Sequence, residues 1–416
     1  MTGTTHVFGA GLAGLAAAMR LADAGRTVVL HEASGQAGGR CRSFHDPVLG
    51  CLIDNGNHLL LGANARALAF LDMLGTRGGL IETSPAAFPF LDLRTGESWT
   101  VRPNAGLLPW WVFAAGRRVP GSSARAHLAS VRLLAAPAGA SVAECLDAGD
   151  PLFDRLWKPL AVSALNVDAH RGAARLMRTV LLRSLLRGEA ACRPMIARDG
   201  LGPCFIDPAL ARLERAGVQV RFHSRLRGIA FAGNRAAGLD LPDGTVGLGP
   251  EDAVVLAVPP GTAASLLPGL VVPPEGPAIV NVHFRLDRPP RLPGGLALLG
   301  LIGGTAEWLF ARGDVLSATV SAADALAAEP APVVASRVWR DAAAALGTPE
   351  DPLPAFRVVK EKRATFLQTP ETLASRPGPR TRWSNLFLAG DWTDTGLPAT
   401  IEGAILSGER AAACLD

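Results

Sequence analysis

"THVFGAGLAGLAAAMRLADAGRTVVLHE", residues 5–32, decides the fold. Val7 and Phe8 end a short apolar strand, and Gly9, Gly11 and Gly14 spell G-x-G-x-x-G. Leu12 to Ala24 predict an Ala-rich helix with Gly25 as its C-cap. Thr27 to Leu30 predict a second buried strand, and Glu32 follows it. A Gly triplet alone is a weak signal. Here it has a strand before it, a helix after it and an acid about 20 residues on, the context a dinucleotide-binding unit requires. Gly9 permits the tight turn, Gly11 lets the backbone approach a pyrophosphate, and Gly14 lets helix and strand pack closely. Leu12 and Ala13 open the helix, whose N-terminus then faces the phosphates. Glu32 is positioned to accept hydrogen bonds from ribose hydroxyls.

The next segment goes beyond a plain nicotinamide-binding unit. "GQAGGRCRS" supplies Gly38, Gly39 and Arg40 directly after the acid, which brings further donors to a diphosphate. This segment resembles the second Gly motif of FAD-binding proteins of the amine-oxidase and carotenoid-desaturase type. "DNGNHLLLG", residues 54–62, is similar to the stretch that passes near the isoalloxazine ring in that superfamily, which implicates Gly56, Asn57 and His58. His58 has two open readings, a flavin-side group and a satisfied core histidine. Further along, "GVQVRFHSRLRGI" and "EDAVVLAVPP" read as strands. The resemblance implies that this pair brings a backbone edge to adenine near Leu226 and returns the chain at Ala257.

The other end of the chain carries a second signature. "NLFLAGD" predicts an apolar strand ending at Gly390 and Asp391, and Pro398, Ala399 and Thr400 precede a last helix, with Pro398 near its first turn. The resemblance implies that Asp391 bonds the ribityl or phosphate region of FAD. It also implies that the last helix aims its N-terminus at the flavin pyrimidine edge, where its partial positive charge stabilises the anion of the reduced ring.

These features predict an α/β chain with a Rossmann-type FAD-binding domain and an inserted α+β substrate domain. Residues 1–79, 202–260 and 354–416 are expected to form the discontinuous cofactor domain. Residues 80–201 are expected to be a mainly helical insertion, and 261–353 the sheet and helices of the substrate domain. A chain of 416 residues with 46 Gly and 32 Pro suits this division. The formal charge is only +4, and no nucleic-acid motif occurs, so nucleic acid is not an expected partner. The six Cys are scattered without metal-like spacing, and no metal is expected. The apolar run from Val7 to Met19 lacks a basic leader, so a cytoplasmic protein is expected.

"LWKPLAVSALN" (156–166), "EKRATFLQTP" (361–370) and "AGDWTDTGLPATIEGAILSG" (389–408) narrow the resemblance. Together they resemble the squalene-associated FAD-dependent desaturases, also called hydroxysqualene dehydroxylases, of hopanoid-making bacteria. That resemblance implies a reaction: hydroxysqualene and reduced FAD give squalene, water and oxidised FAD. Replacing an allylic hydroxyl by hydride needs a hydride donor, help for the departing hydroxide and exclusion of water. The chain has no Tyr. Candidates to assist the hydroxide are Asp394 first, then Asp54 and His58, with Asn166 as a neutral donor. Asp394 also reads as an ordinary turn or N-cap acid. A carotenoid desaturase of the same fold, an amine oxidase and a non-enzymatic lipid-binding escort are the alternatives. No second G-x-G-x-x-G is present for a tightly held nicotinamide, so an external reductant, NADPH or a redox partner, is expected.

A long isoprenoid has almost no aqueous concentration, so the substrate is expected to come from a bilayer. "GLLPWWVFAAGRRVP" (106–120) sets Trp110, Trp111 and Phe113 beside Arg117 and Arg118, which suits peripheral docking at the inner face of the membrane. "RGAARLMRTVLLRSLLRG" (171–188) predicts an amphipathic helix, readable either as a second docking element or as a roof over the substrate tunnel.

Overall fold

The computed structural model describes residues 3–415. Its organising element is a five-stranded, all-parallel sheet. The strand order is Gln219–Arg221, Thr27–His31, Thr4–Phe8, Ala253–Leu256, Leu386–Leu388. Three distant pieces of chain therefore build one sheet. Strands buried on both faces read as continuous apolar runs, and "VVL" and "LFL" do so here.

The first helix, Leu12–Asp23, ends at the C-cap Ala24, and Gly25 beyond it takes a positive φ of 78°. The closing helix, Ile401–Ala412, lies against the first at close range: a Cβ on Gly408 would come within 2.1 Å of the Ala13 carbonyl oxygen. Thr400 caps the closing helix by accepting the Gly403 N–H at 3.1 Å. Pro398 lies two residues before the N-cap, just ahead of the first turn.

A second sheet has seven strands in the order Ala355–Glu361, Ile279–Arg285, Val315–Val320, Trp308–Arg312, Leu298–Ile302, Phe88–Asp92, Ser98–Val101. Its period-two alternation sorts the strand Ile279–Arg285 into two faces. Val280, Val282 and Phe284 pack on the helix Ala331–Leu346. Asn281 and His283 face the other way and bond across to Thr319 and Ser317. Two memberships depart from the expected division. The hairpin 88–101 belongs to this sheet although it lies in the first insertion. The strand Ala355–Glu361 belongs here as well, and the return to the parallel sheet follows only later.

The rest of the first insertion is helical, including Lys158–Leu165 and Ala174–Arg183. It shares one apolar core with the outer strands of the seven-stranded sheet. Arg175 and Arg178 are exposed, while Leu176, Met177 and Leu181 are buried. No helix among the described residues is long and apolar enough to cross a membrane.

Candidate flavin site

The site begins at the first Gly turn. Gly9 has φ of 102°, and a Cβ there would lie 2.4 Å from the Ala257 carbonyl oxygen. On Gly14 a Cβ would lie 1.8 Å from the Gly9 carbonyl oxygen. These two glycines are required by the protein's own packing. Gly11 differs: it has an extended φ of −76°, and a Cβ would meet no protein atom within 4 Å. The space above Gly11 is open, and the helix beginning at Leu12 and Ala13 has no side-chain cap. An uncapped helix start under an open cradle suits an anionic group.

The cradle has two acidic and basic walls. Glu32 accepts the Ala10 N–H at 2.9 Å and the Ser34 N–H and hydroxyl at 2.9 Å each. Gly38 donates its N–H to the Ala10 carbonyl at 2.8 Å, so the second Gly turn is fastened to the first. Gly39, with φ of 54°, borders Gly11 on the side away from that space: a Cβ on it would lie 3.5 Å from the Gly11 Cα. Arg40 then reaches across the chain to donate to the Asp391 carboxylate at 2.7 Å and to the Ala364 carbonyl at 2.5 Å. The sequence reading set Arg40 on the diphosphate and Asp391 on the ribityl or phosphate region; the structure adds an ion pair between them that ties the two ends of the chain together. Asp391 holds the Arg40 guanidinium above its ordinary pKa.

A buried arginine that the sequence reading missed holds the last turn. Arg376 donates to the carbonyls of Asp391 (3.0 Å), Trp392 (3.3 Å), Thr393 (2.5 Å) and Leu397 (2.9 Å). Burial pushes its pKa down to about 10. Gly390, with φ of 140°, donates its N–H to the Ser407 hydroxyl at 2.8 Å. Gln368, fully buried and also missed, accepts the Ala399 N–H at 2.8 Å. Pro398 is buried and Thr400 caps the closing helix. Leu226 is buried beside Phe8 in the core next to the parallel sheet, and Ala257 donates its N–H to the Phe8 carbonyl at 2.8 Å.

The loop after Asp54 is fixed from the second sheet. Asn57 donates its N–H and its amide to Asn281 at 3.3 Å each, and its amide also to the Thr319 hydroxyl at 3.0 Å. Gly56 faces the Asn281 amide, with room of only 3.2 Å for a Cβ. His58 is half-buried and, among the described residues, its imidazole makes no hydrogen bond. Burial lowers its pKa to about 4, with Asp54, Arg40 and Asp391 as the charges it feels.

Three expected proton donors have other occupations. Asp394 is exposed: its carboxylate accepts the Gly396 N–H at 3.2 Å, and its carbonyl accepts from the surface Arg410 at 3.0 Å. That is the turn-acid role, and it leaves Asp394 in solvent. The Asp54 carboxylate is saturated by Arg312 at 2.6 Å, the Leu201 N–H at 2.9 Å and the Ser43 hydroxyl. Asn166 has φ of 50° and caps the helix Lys158–Leu165. Its amide donates to the Pro277 carbonyl at 2.6 Å and the Thr365 hydroxyl at 3.1 Å, and its oxygen accepts the Ala322 N–H at 2.8 Å. Asp54 ties the strand Cys51–Asp54 to the seven-stranded sheet through Arg312, and Asn166 ties the helical insertion to residues 277, 322 and 365, so neither group is free for a substrate.

Fold and site together define a flavin-dependent oxidoreductase. Residues 12–416 match the family model described as flavin-containing amine oxidoreductase. A hydroxysqualene dehydroxylase from Rhodopseudomonas palustris is 49% identical over 413 residues, covering 99% of this chain and 98% of that protein. One from Sinorhizobium fredii is 46% identical over 412 residues, with coverages of 99% and 98%. Among solved structures, a putative protoporphyrinogen oxidase from Exiguobacterium sp. 255-15 superposes with a TM-score of 0.72 at 17% identity, covering 99% of this chain and 98% of that one. The chain belongs to the flavin-containing amine oxidoreductase family and, within it, to the hydroxysqualene dehydroxylases.

Proposed function

We propose that this protein is an FAD-dependent hydroxysqualene dehydroxylase that replaces the allylic hydroxyl of hydroxysqualene by hydride and releases squalene and water. The observation that carries the reading is the near-full-length identity of 46–49% to two hydroxysqualene dehydroxylases. Bound and reduced, FAD supplies the hydride and the accompanying proton, so that C–O cleavage, C–H formation and water release balance. Residues 9–14, Glu32, Gly38 and Gly39 would hold its diphosphate and ribose, and the Arg40–Asp391 pair its central chain. An external donor, NADPH or a redox protein, returns the electrons.

His58 is the best-placed group to assist the departing hydroxide. A histidine whose pKa is lowered to about 4 stays neutral near pH 7. It offers an N–H to the leaving oxygen without setting a full positive charge beside a developing allylic cation. The reaction also needs water kept from that cation; the apolar side chains that the insertion and the second sheet contribute are the candidates for that role.

The protein acts at the cytoplasmic surface of an anionic membrane. Residues 98–143 contain five Arg and no Asp or Glu. Leu107, Leu108, Trp110 and Phe113 are exposed there, Leu108 by 80% and Phe113 by 66%. Arg117 lies over the Trp110 ring at 4.8 Å. An apolar tip with a purely basic rim suits insertion between anionic headgroups. The test of the activity is product analysis. Purified protein given hydroxysqualene and a chemical reductant must yield squalene, and none when the reductant is withheld. Absence of squalene with the flavin fully loaded and reduced would overturn the proposal.

A further inference from the structure

The strand Ile279–Arg285 carries a buried amide of which only one end is used. Asn281 is 2% exposed. Its side-chain oxygen accepts from the Asn57 N–H and the Asn57 amide at 3.3 Å each, and from the Thr319 hydroxyl at 2.8 Å. A backbone N–H can only donate, so the atom that faces Asn57 is the oxygen, and Nδ2 is the free end. Among the described residues Nδ2 makes no hydrogen bond. A buried donor without a partner is uncommon in a folded chain and calls for one.

Nδ2 is not sealed in by protein, as the unpaired Nε2 of His283 on the same strand is. It borders a gap over Gly56. A Cβ on Gly56 would lie 3.2 Å from Asn281 Nδ2 and 3.9 Å from His58 Nε2. Apart from the Asn281 Cγ, no other atom outside the adjoining residues comes as near. His58 is half-buried, and its ring also makes no hydrogen bond among the described residues. Two partnerless nitrogens, one from the seven-stranded sheet and one from the loop after Asp54, thus converge on one point. Gly56 does not take a positive φ, so its backbone does not demand glycine. What glycine provides there is the missing side chain, which would fill the gap between the two nitrogens.

The surroundings define what the gap can hold. In register across the sheet, Asn281 is followed by Thr319 and then by Trp308. Trp308 belongs to the apolar core shared with the helical insertion. The gap is therefore a polar spot at the border of an apolar surface. Both nitrogens are uncharged at neutral pH, since an amide does not titrate there and burial lowers the His58 pKa to about 4. An ammonium has no lone pair to accept from Asn281, and a hydrocarbon has none either. An alcohol on an apolar chain has two, one for each nitrogen.

We infer that Asn281 is a catalytic residue of the dehydroxylation: its Nδ2 donates to the substrate oxygen over Gly56, opposite His58 Nε2. The inference rests on the proposed function and adds a second donor to it. The two neutral groups hold the oxygen while the C–O bond breaks with its electron pair on oxygen. The proton that completes water comes with the hydride from reduced flavin, so neither Asn281 nor His58 changes its protonation state. A fixed N–H aimed where negative charge gathers holds the departing oxygen more strongly than the bound alcohol.

The test compares wild type, Asn281→Asp and Gly56→Ala, each loaded with flavin. Asn281→Asp keeps an oxygen for Asn57 and Thr319 and exchanges the free N–H for an acceptor. Gly56→Ala puts a methyl group in the gap and leaves every polar group in place, which keeps the idea testable if the Asp variant folds poorly. The first readout is binding of hydroxysqualene against squalene to oxidised enzyme in mixed micelles, where no turnover occurs. Each variant should reduce the wild-type preference for the alcohol roughly five-fold, with squalene binding unchanged. The second readout is the single-turnover rate of squalene formation on photoreduced enzyme, which should fall by about 10²-fold in Asn281→Asp. Flavin affinity and the oxidised flavin spectrum should match wild type in both variants. An unchanged preference and an unchanged rate in both variants overturn the assignment. So does a loss of flavin affinity with the preference intact, which would give the amide to the flavin. Wild type that makes squalene while both variants match it removes Asn281 alone, whereas wild type that makes none removes the proposed function and the inference with it.

Discussion

Arg376 lies outside every sequence motif, yet it holds the turn that carries Asp391. Replacing it with Met keeps most of its volume and removes the guanidinium. Four carbonyls, of Asp391, Trp392, Thr393 and Leu397, lose their donor, as does the Thr395 hydroxyl at 3.3 Å. At roughly 1.5 kcal/mol for each hydrogen bond from a charged donor, these five contacts sum to about 7 kcal/mol. Burial opposes them. A pKa lowered from 12.5 to about 10 corresponds to about 3 kcal/mol against the charged form. The difference is about 4 kcal/mol, lost from residues 391–397 and from the start of the closing helix. Arg376→Met should therefore lower the urea unfolding free energy by about 4 kcal/mol and lower flavin affinity with it. Arg376→Lys should fall between, because three donors on one nitrogen cannot span four carbonyls. Stability within 1 kcal/mol of wild type, with flavin affinity unchanged in a titration of the apoprotein, would refute the reasoning.

Four further outcomes follow from other parts of the molecule. Gly11→Val should leave the apoprotein's unfolding midpoint close to wild type, because its Cβ meets no protein atom, yet abolish flavin retention; a variant that purifies fully yellow removes the cradle. His58→Leu should keep flavin and slow squalene release by about 10²-fold or more, and an unaltered single-turnover rate would take His58 out of the reaction. Burial raises the Glu307 pKa from 4.5 to about 7, so its protonated form stabilises the fold at acid pH and that stability is lost as pH rises from about 5 through 7. The difference in unfolding free energy between wild type and Glu307→Gln should thus move by about 2 kcal/mol between pH 5 and 8, and a pH-independent difference would contradict it. Finally, Trp110→Ser with Phe113→Ser should reduce co-sedimentation with anionic liposomes at low salt while flavin content holds. Equal sedimentation of both proteins would defeat the docking surface.

Local motifs were legible because they are local. Gly14 and Glu32 act on atoms within one strand–turn–helix unit, and their roles follow from spacing; Gly9 turns the chain there too, although the carbonyl that crowds it belongs to the distant Ala257. Asp391 stood out in the sequence because a strand end and a helix start bracket it, but its partner Arg40 lies 351 residues away. Motif position also misled where long-range partners decide. Asp54 is quenched by Arg312, 258 residues on, and Asn166 by Pro277 and Ala322, 111 and 156 residues on. Asp394 sits three residues from Asp391, yet its turn faces solvent. Trp110 and Trp111 are adjacent and identical in type, and only the turn at 110–113 sends one outward and the other inward. Arg376 had no signal, since "LASRPGPR" reads as a loop. Asn281 had one: the alternation in "VNVHF" puts Asn281 and His283 on a single polar face, which a core-only sheet would not carry.

The central claim is that electrons flow from flavin to an isoprenoid alcohol. The most direct measurement is anaerobic mixing of photoreduced enzyme with hydroxysqualene, followed by the flavin spectrum and by squalene quantification in the same sample. The account predicts that the flavin reoxidises and that one squalene forms per flavin. Flavin that stays reduced with hydroxysqualene, while oxidised enzyme is bleached by phytoene or an amine, would contradict it.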